Sequence, residues 1–87
     1  MKEIELYDIL TLSNDKDYTV LKIIDMNMKK YYLLSETDKE EVPNLEKMKI
    51  VEKMNDKKLS VVKDEKLLSE LTKLFASALE EEFQKNN

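Results

Sequence analysis

The sequence contains no glycine, cysteine, histidine, arginine or tryptophan, and it has a single proline. Histidine is the usual acid–base catalyst, the cysteine thiolate is a nucleophile and metal ligand, and arginine clamps phosphate and carboxylate groups. Loops that cradle phosphates rely on glycine to bring the backbone close to the ligand. These absences argue against an enzyme, and without cysteine there is no disulfide framework. We therefore expect no catalytic, cofactor-binding or metal-binding residues.

The size and charge of the chain predict one small domain. Its 87 residues are 41% hydrophobic and 39% charged, with a net charge of −4. A negative net charge disfavours nonspecific attraction to nucleic acid or to an anionic membrane. The first residues are charged, unlike a signal peptide, and the longest aromatic–aliphatic run covers only 31–34. The sequence thus predicts a single domain over 1–87 in a soluble, cytoplasmic protein.

Alternating apolar residues predict five strands, at about 4–12, 18–26, 31–35, 47–54 and 58–62. The first three should form an antiparallel meander, because their connections are too short for parallel crossovers. The acidic segment 36–46, which contains Pro43, is expected to cross the surface to a new part of the sheet. The fourth and fifth strands then form a hairpin through 55–57.

The end of the chain predicts an amphipathic helix over about 64–84. Asp64 is a good N-cap, and Glu65 suits the positive end of the helix dipole. Apolar residues recur at helical spacing at Leu67, Leu68, Leu71, Leu74, Phe75, Ala78, Leu79 and Phe83. The predicted fold is therefore α+β, an antiparallel sheet of four or five strands with this helix packed on one face.

Both faces of the predicted sheet carry apolar side chains, although a sheet with one wet face should alternate cleanly. A helix of about 20 residues is ~30 Å long and ~10 Å wide, so it shields only one face. Strong curvature or the 36–46 segment could cover the other face within the monomer; a second subunit or a partner protein could cover it from outside. We expect a homodimer or a protein partner there, with Tyr7, Ile9 and Tyr32 as the interface residues.

A second interpretation rests on lysines in and after the fourth strand. Lys47, Lys49 and Lys53 share one side of that strand, and Lys57 and Lys58 follow it. Such a stripe could track RNA phosphates, with Tyr31 or Tyr32 stacking on bases. The alternative is a charged edge strand that discourages sheet-to-sheet aggregation. The charged edge strand is the favoured interpretation, because no arginine accompanies the lysines and the chain is acidic overall.

Several segments together resemble a known family. They are the string 9–12, the polar turn 14–17, the string 29–34 with the acidic stretch after it, and residues 59–62 followed by Asp64 and an acidic helix. Over roughly residues 6–83 this arrangement resembles the small acidic bacterial proteins of domain-of-unknown-function family 1292 (YrzB-like). The resemblance implies an antiparallel sheet with a C-terminal helix. It implies glycines in the hairpin turns, where this chain has Met28 and Asp56 or Lys57. It brings no catalytic residues, because the family has no established activity.

These observations predict a noncatalytic protein-interaction module that binds a partner protein or a second copy of itself. The alternative is an RNA-binding accessory protein that uses the lysine stripe. No cofactor, membrane contact or small-molecule substrate is expected.

Overall fold

The chain folds into one curled antiparallel sheet with a helix after it. The computed structural model describes residues 3–55 and 58–85, with 81–85 described by their backbone alone. The strands follow one another across the sheet in the order β1-β2-β3-β4-β5. The elements are β1 (Ile9–Thr11), β2 (Asp17–Met26), β3 (Lys29–Thr37), β4 (Pro43–Asn55), β5 (Lys58–Val61) and α1 (Glu65–Lys85). The predicted α+β fold, with an antiparallel sheet and a C-terminal helix, is confirmed.

The first strand is shorter than the predicted 4–12, because a turn replaces its first half. The Asp8 N–H donates to the Glu5 carbonyl (3.2 Å), and the Asp8 carboxylate accepts from the Glu5 N–H (2.9 Å). Inside this turn Tyr7 has a φ of 68°, in the left-handed region. Tyr7 N–H donates to the Val20 carbonyl, and Val20 N–H donates to the Asp8 carbonyl. This two-against-one pairing is a β-bulge, and its left-handed position is one that glycine usually takes.

The hairpin turns also use left-handed residues without glycine. Asn27 and Met28 have φ values of 52° and 65°, and they join β2 to β3 in a two-residue turn. Positive φ at both central residues defines the primed turn that fits the twist of a hairpin. Asp15 (φ 62°) and Glu41 (φ 65°) are the last residues of the three-residue loops 13–15 and 39–41, where a turn is commonly followed by one left-handed residue. The predicted turn at 55–57 falls on Asp56 and Lys57, which lie outside the described residues.

Residues 36–46 do not cross the surface as predicted, because they form a hairpin. Thr37 at the end of β3 pairs with Pro43 at the start of β4. Between them the Asp38 carboxylate accepts hydrogen bonds from the backbone N–H groups of Glu40 (2.9 Å) and Val42 (3.0 Å). An aspartate that caps its own turn in this way reverses the chain within a few residues. β4 therefore lies directly beside β3.

Helix α1 covers one face of the sheet. Its first turn is capped by the Asp64 carboxylate, which accepts from the N–H groups of Lys66 (3.0 Å) and Leu67 (3.2 Å). Leu71 and Phe75 are buried in a cluster with sheet residues Tyr31, Leu33, Ile50 and Val62. No helix among the described residues is long and apolar enough to cross a membrane.

The opposite face of the sheet has a core of its own. Its buried residues are Tyr18, Val20, Tyr32, Leu34 and Val51. Half-buried apolar residues pack against them from the N-terminal segment, from β1 and the loop after it, and from β5, namely Ile4, Leu10, Leu12 and Leu59. The curl of the sheet and the N-terminal segment therefore cover much of the face that α1 leaves, and the 36–46 hairpin is not among the residues packed there.

Candidate partner-binding cleft

The two end strands of the sheet line a common cleft on the face opposite α1. The cleft has a volume of about 760 Å³. We define the β1–β5 cleft by its lining, which consists of Glu3, Ile4, residues 9–14, the β4 residues Lys49, Val51, Lys53 and Asn55, and the β5 residues Lys58, Leu59 and Val61. β1 and β5 are neighbours neither in sequence nor in strand order, so the curl of the sheet brings them to one site.

Each of these end strands has one paired edge and one open edge within the described chain. β1 pairs with β2, and β5 pairs with β4. Leu12 N–H donates to the Lys16 carbonyl, and because bonded and non-bonded pairs alternate in an antiparallel ladder, the backbone groups of Ile9 and Thr11 point away from β2. Val62 N–H donates to the Ile50 carbonyl, so the same alternation directs Leu59 and Val61 away from β4. Both open edges thus carry backbone groups available to another strand.

The side chains of the cleft are apolar along the edges. Ile9 is 41% exposed and Val61 is 44% exposed, although both are large aliphatic residues. Deeper in the cleft, Val51 is buried, and Leu10 and Leu59 are half-buried against the core of this face. Exposed aliphatic residues beside an unpaired strand edge are typical of a surface that another chain covers.

Three lysines and one glutamate give the cleft a positive lining. Lys49, Lys53 and Lys58 line it, together with Glu3. The Glu3 carboxylate accepts a 2.6 Å hydrogen bond from Lys30 Nζ, and this bond, with the charges of Lys30 and Lys53, lowers the pKa of Glu3. The same hydrogen bond raises the pKa of Lys30. The lining is therefore more basic than a chain with a net charge of −4 would suggest.

Lys49 is held over an aromatic ring. Its Nζ atom lies 4.6 Å from the centre of the Tyr18 ring, within the range of a cation–π contact. The Tyr18 hydroxyl accepts a hydrogen bond from the side-chain amide of Asn14 (3.0 Å). This bond is the largest cause of a lowered Tyr18 pKa, and Lys49 lowers it further. The contact links the loop after β1 to the lysine of β4.

Three of the five lysines in the predicted stripe line one cleft. Lys49, Lys53 and Lys58 meet in the β1–β5 cleft, whereas Lys47 lies in a separate depression beside the β3–β4 turn. Lys57 lies outside the described residues. The proposed stacking by Tyr31 or Tyr32 is wrong, because both rings are buried, on opposite faces of the sheet.

The predicted interface residues have different positions. Tyr7 is 61% exposed, and Ile9 lies on the open edge of β1. The prediction that Tyr32 is an interface residue is wrong. Tyr32 has no exposed surface, because the curl of the sheet and the N-terminal segment enclose that face. Its hydroxyl is buried without a hydrogen-bond partner among the described residues, and this burial raises its pKa. Tyr32 is therefore a core residue and does not reach a partner.

Sequence reasoning missed the cleft residues Glu3, Leu12 and Leu59. Leu12 shares an alternating phase with Leu10, so its burial on one face had a sequence signal. Glu3 and Leu59 had none, because their place in the cleft depends on how far the sheet curls.

A second groove lies between α1 and β4–β5, with a volume of about 480 Å³. Its lining is mostly apolar and includes Met48, Ile50, Leu68 and Leu79, with Lys49 and Thr72 as its polar residues. The Thr72 hydroxyl at its edge is already used, since it donates to the Leu68 carbonyl (2.7 Å). The groove therefore offers apolar area with little to orient a ligand, and the β1–β5 cleft is the stronger candidate.

Comparisons with protein-family models, with curated proteins and with solved structures found no match to this chain. The resemblance to family 1292 stays a prediction. The function proposed below therefore rests on the geometry of the β1–β5 cleft.

Proposed function

We propose that this protein is a noncatalytic interaction module that binds another protein chain at the β1–β5 cleft. The observation that carries the proposal is the presence of two open strand edges in one cleft, beside the exposed aliphatic residues Ile9 and Val61. Pairing with an open edge satisfies backbone groups, and the aliphatic side chains add apolar area. The bound chain belongs to a partner protein or to a second copy of this one.

The edges also have features that limit indiscriminate pairing. β1 has only 3 residues and follows the bulge at Tyr7, and β5 has 4 residues and begins at Lys58. Short, bulged and charged edges are common protection against aggregation. A partner must therefore fit the cleft between the edges as well as pair with one of them, which favours a selective interaction.

The test is loss of binding in a variant with polar edges. Ile9→Asp with Val61→Asp places a carboxylate on each edge, and Leu74→Asp is the matched control, because Leu74 is also 41% exposed but lies on α1. Nuclease-treated lysate is passed over each tagged protein, and light scattering after size exclusion measures self-association. We expect the edge variant to lose the partner or the dimer, while Leu74→Asp keeps it. Equal binding by both variants would refute the role of the cleft.

RNA binding is the second candidate function, because Lys49, Lys53 and Lys58 converge in the cleft. The aromatic residues predicted to stack on bases cannot do so, since Tyr31 and Tyr32 are buried. RNA contacts would weaken steeply as salt rises, because neutralised phosphates release counterions. We expect no oligouridine binding at physiological salt. A salt-dependent affinity that is lost in the triple Lys→Glu variant at 49, 53 and 58, and kept in Lys47→Glu, would establish this function instead.

A further inference from the structure

We infer that the occupant of the β1–β5 cleft is an extended partner segment, with both aliphatic and acidic side chains on the side that faces the cleft, which lies between the two edges as an additional strand. The inference rests on the proposed function and specifies the chemistry of the partner. Three features of the cleft define the occupant: the direction of the edge backbone groups, the apolar lining and the charge of the lysines.

The backbone groups set the conformation of the occupant. Ile9 and Thr11 on β1 and Leu59 and Val61 on β5 direct their N–H and C=O groups away from their paired neighbours. An extended chain has donors and acceptors on both sides, so a single strand between the edges is able to pair with both. A helix satisfies its own backbone groups and would leave these edges unpaired.

The side chains set the composition of the occupant. In an extended segment, alternate residues face opposite sides. Those that face the cleft floor meet Leu10, Val51 and Leu59, which favour aliphatic groups. Lys49 and Lys53 lie on the same side of β4 as Val51, so this side of the segment also meets positive charge, which favours carboxylates among its aliphatic groups. The cleft therefore favours a segment whose cleft-facing side chains are aliphatic and acidic over one whose cleft-facing side chains are basic.

A protein segment is favoured over nucleic acid as the ligand of this cleft. The lysines are accompanied by aliphatic edges, and the tyrosines of β3 are buried away from the cleft surface. Single-stranded nucleic acid relies on exposed aromatic rings for base stacking. Oligouridine is therefore included in the test as a competing ligand.

The test uses a short capped peptide, the valine–glutamate peptide, in which every second residue is alternately valine and glutamate and the residues between are threonine. It is titrated into isotope-labelled full-length protein. We expect changes in the amide resonances of Ile9, Thr11, Leu59 and Val61, and slower hydrogen exchange at those N–H groups. Two matched peptides serve as controls, one with lysine in place of glutamate and one N-methylated at every second residue. The first should fail to bind, because it has the wrong charge, and the second should bind much more weakly, because it lacks the donors that face one of the two edges.

The lysines are tested by substitution in the protein. The triple variant Lys49→Gln, Lys53→Gln and Lys58→Gln should bind the valine–glutamate peptide on the order of tenfold more weakly, since each exposed ion pair contributes modestly. The matched triple at Lys39, Lys47 and Lys73 removes the same charge from exposed positions outside the cleft and should leave affinity unchanged. Thermal melts verify that both triples fold; if the cleft triple does not, the N-methylated peptide still decides the backbone pairing.

Several outcomes would overturn the inference. They are no binding of the valine–glutamate peptide, equal binding of the lysine peptide, or displacement of the peptide by oligouridine in a salt-dependent way. If the peptide fails while Ile9→Asp with Val61→Asp still loses the cellular partner, the chemistry inferred here is wrong and the proposed function stands. If neither experiment depends on the cleft, both fail.

Discussion

The ammonium group of Lys49 lies 4.6 Å above the centre of the Tyr18 ring, so a charge on β4 rests on an aromatic ring of β2 across the intervening strand β3. A partly exposed cation–π contact is worth about 0.5–1 kcal/mol. We expect Lys49→Gln to lower the free energy of unfolding by that amount in chemical denaturation. Lys47→Gln, on the exposed part of the same strand, should change it by less than about 0.5 kcal/mol. Equal effects would mean that the ring contact does not stabilise the fold.

Replacing Met28 with glycine should stabilise the protein. Met28 is fully exposed and has a φ of 65°, so its side chain contributes no packing while its backbone is left-handed. The left-handed conformation costs a residue with a β-carbon roughly 1–2 kcal/mol, and glycine avoids this cost. Glycine offsets part of the gain, because its unfolded chain has more conformational freedom to lose on folding. We expect Met28→Gly to raise the free energy of unfolding by about 0.5–1 kcal/mol. Asn27→Gly is the control and should gain less, because asparagine tolerates this region. A destabilised Met28→Gly would contradict the turn geometry.

Tyr32→Phe should be neutral or stabilising, although it alters a completely buried residue. The Tyr32 hydroxyl has no hydrogen-bond partner among the described residues, and an unsatisfied buried polar group costs about 1–3 kcal/mol. Tyr18→Phe is the matched control, because it removes a hydroxyl that accepts a hydrogen bond from Asn14. The control should lose about 0.5–1.5 kcal/mol. A large loss in Tyr32→Phe would reveal a partner for its hydroxyl.

The hydroxyls of Tyr18 and Tyr32 should ionise at different pH in an alkaline titration. The pKa of Tyr18 is lowered, chiefly by the Asn14 hydrogen bond, and the pKa of Tyr32 is raised by burial. For Tyr32, the linked stability is fully present below the usual tyrosine pKa of about 10 and is lost as the pH rises through the folded-state pKa. For Tyr18, the stabilisation is present above about 10 and is lost as the pH falls through its lower folded-state pKa.

Ultraviolet absorbance of the phenolate measures both groups. Tyr18→Phe should remove amplitude from the part of the curve below the usual pKa, and Tyr32→Phe from the part above it. The reverse assignment would contradict the environments of the two hydroxyls.

The helix should be essential to the fold. Leu71 and Phe75 are almost completely buried against the sheet. Truncating a buried leucine or phenylalanine typically costs about 2–5 kcal/mol, and a small domain has about 5 kcal/mol in total. We expect Leu71→Ala with Phe75→Ala to be largely unfolded at room temperature by circular dichroism. Leu74→Ala, at a position 41% exposed, should melt close to the parent chain. A cooperative melt of the double variant near the parent temperature would remove α1 from the core.

The sequence was sufficient to predict the helix and the central strands, because their patterns are local. Asp64 and the apolar spacing of Leu71 and Phe75 placed α1, observed at Glu65–Lys85. The turn that replaces the early part of the first strand was not predictable. Its left-handed residue is Tyr7, and the sequence there has no glycine or asparagine, the residues that usually indicate such a turn. The 36–46 hairpin was missed for a related reason, because Glu41 takes the left-handed position in an acidic stretch with no glycine.

The cleft was beyond sequence reasoning for a different reason. Whether Tyr32 or Tyr31 faces α1 is settled by tertiary packing, because both strand phases are apolar. The presence of Ile9 and Val61 in the lining of one cleft depends on the accumulated twist and curl of the whole sheet, to which every strand contributes a little. No short segment contains that information.

The meander order also determines how the chain reaches this structure. Each strand pairs with its neighbour in sequence, so every pairing in the sheet closes only a short loop. Folding rates rise as contacts become more local, because less chain entropy is lost before each contact forms. Successive hairpins are therefore able to assemble in any order from local nuclei. The steps that span the greatest sequence separation are the docking of α1 and the approach of β1 to β5. We expect the chain to fold quickly for a protein dominated by β-structure, with the cleft among the last features to take shape.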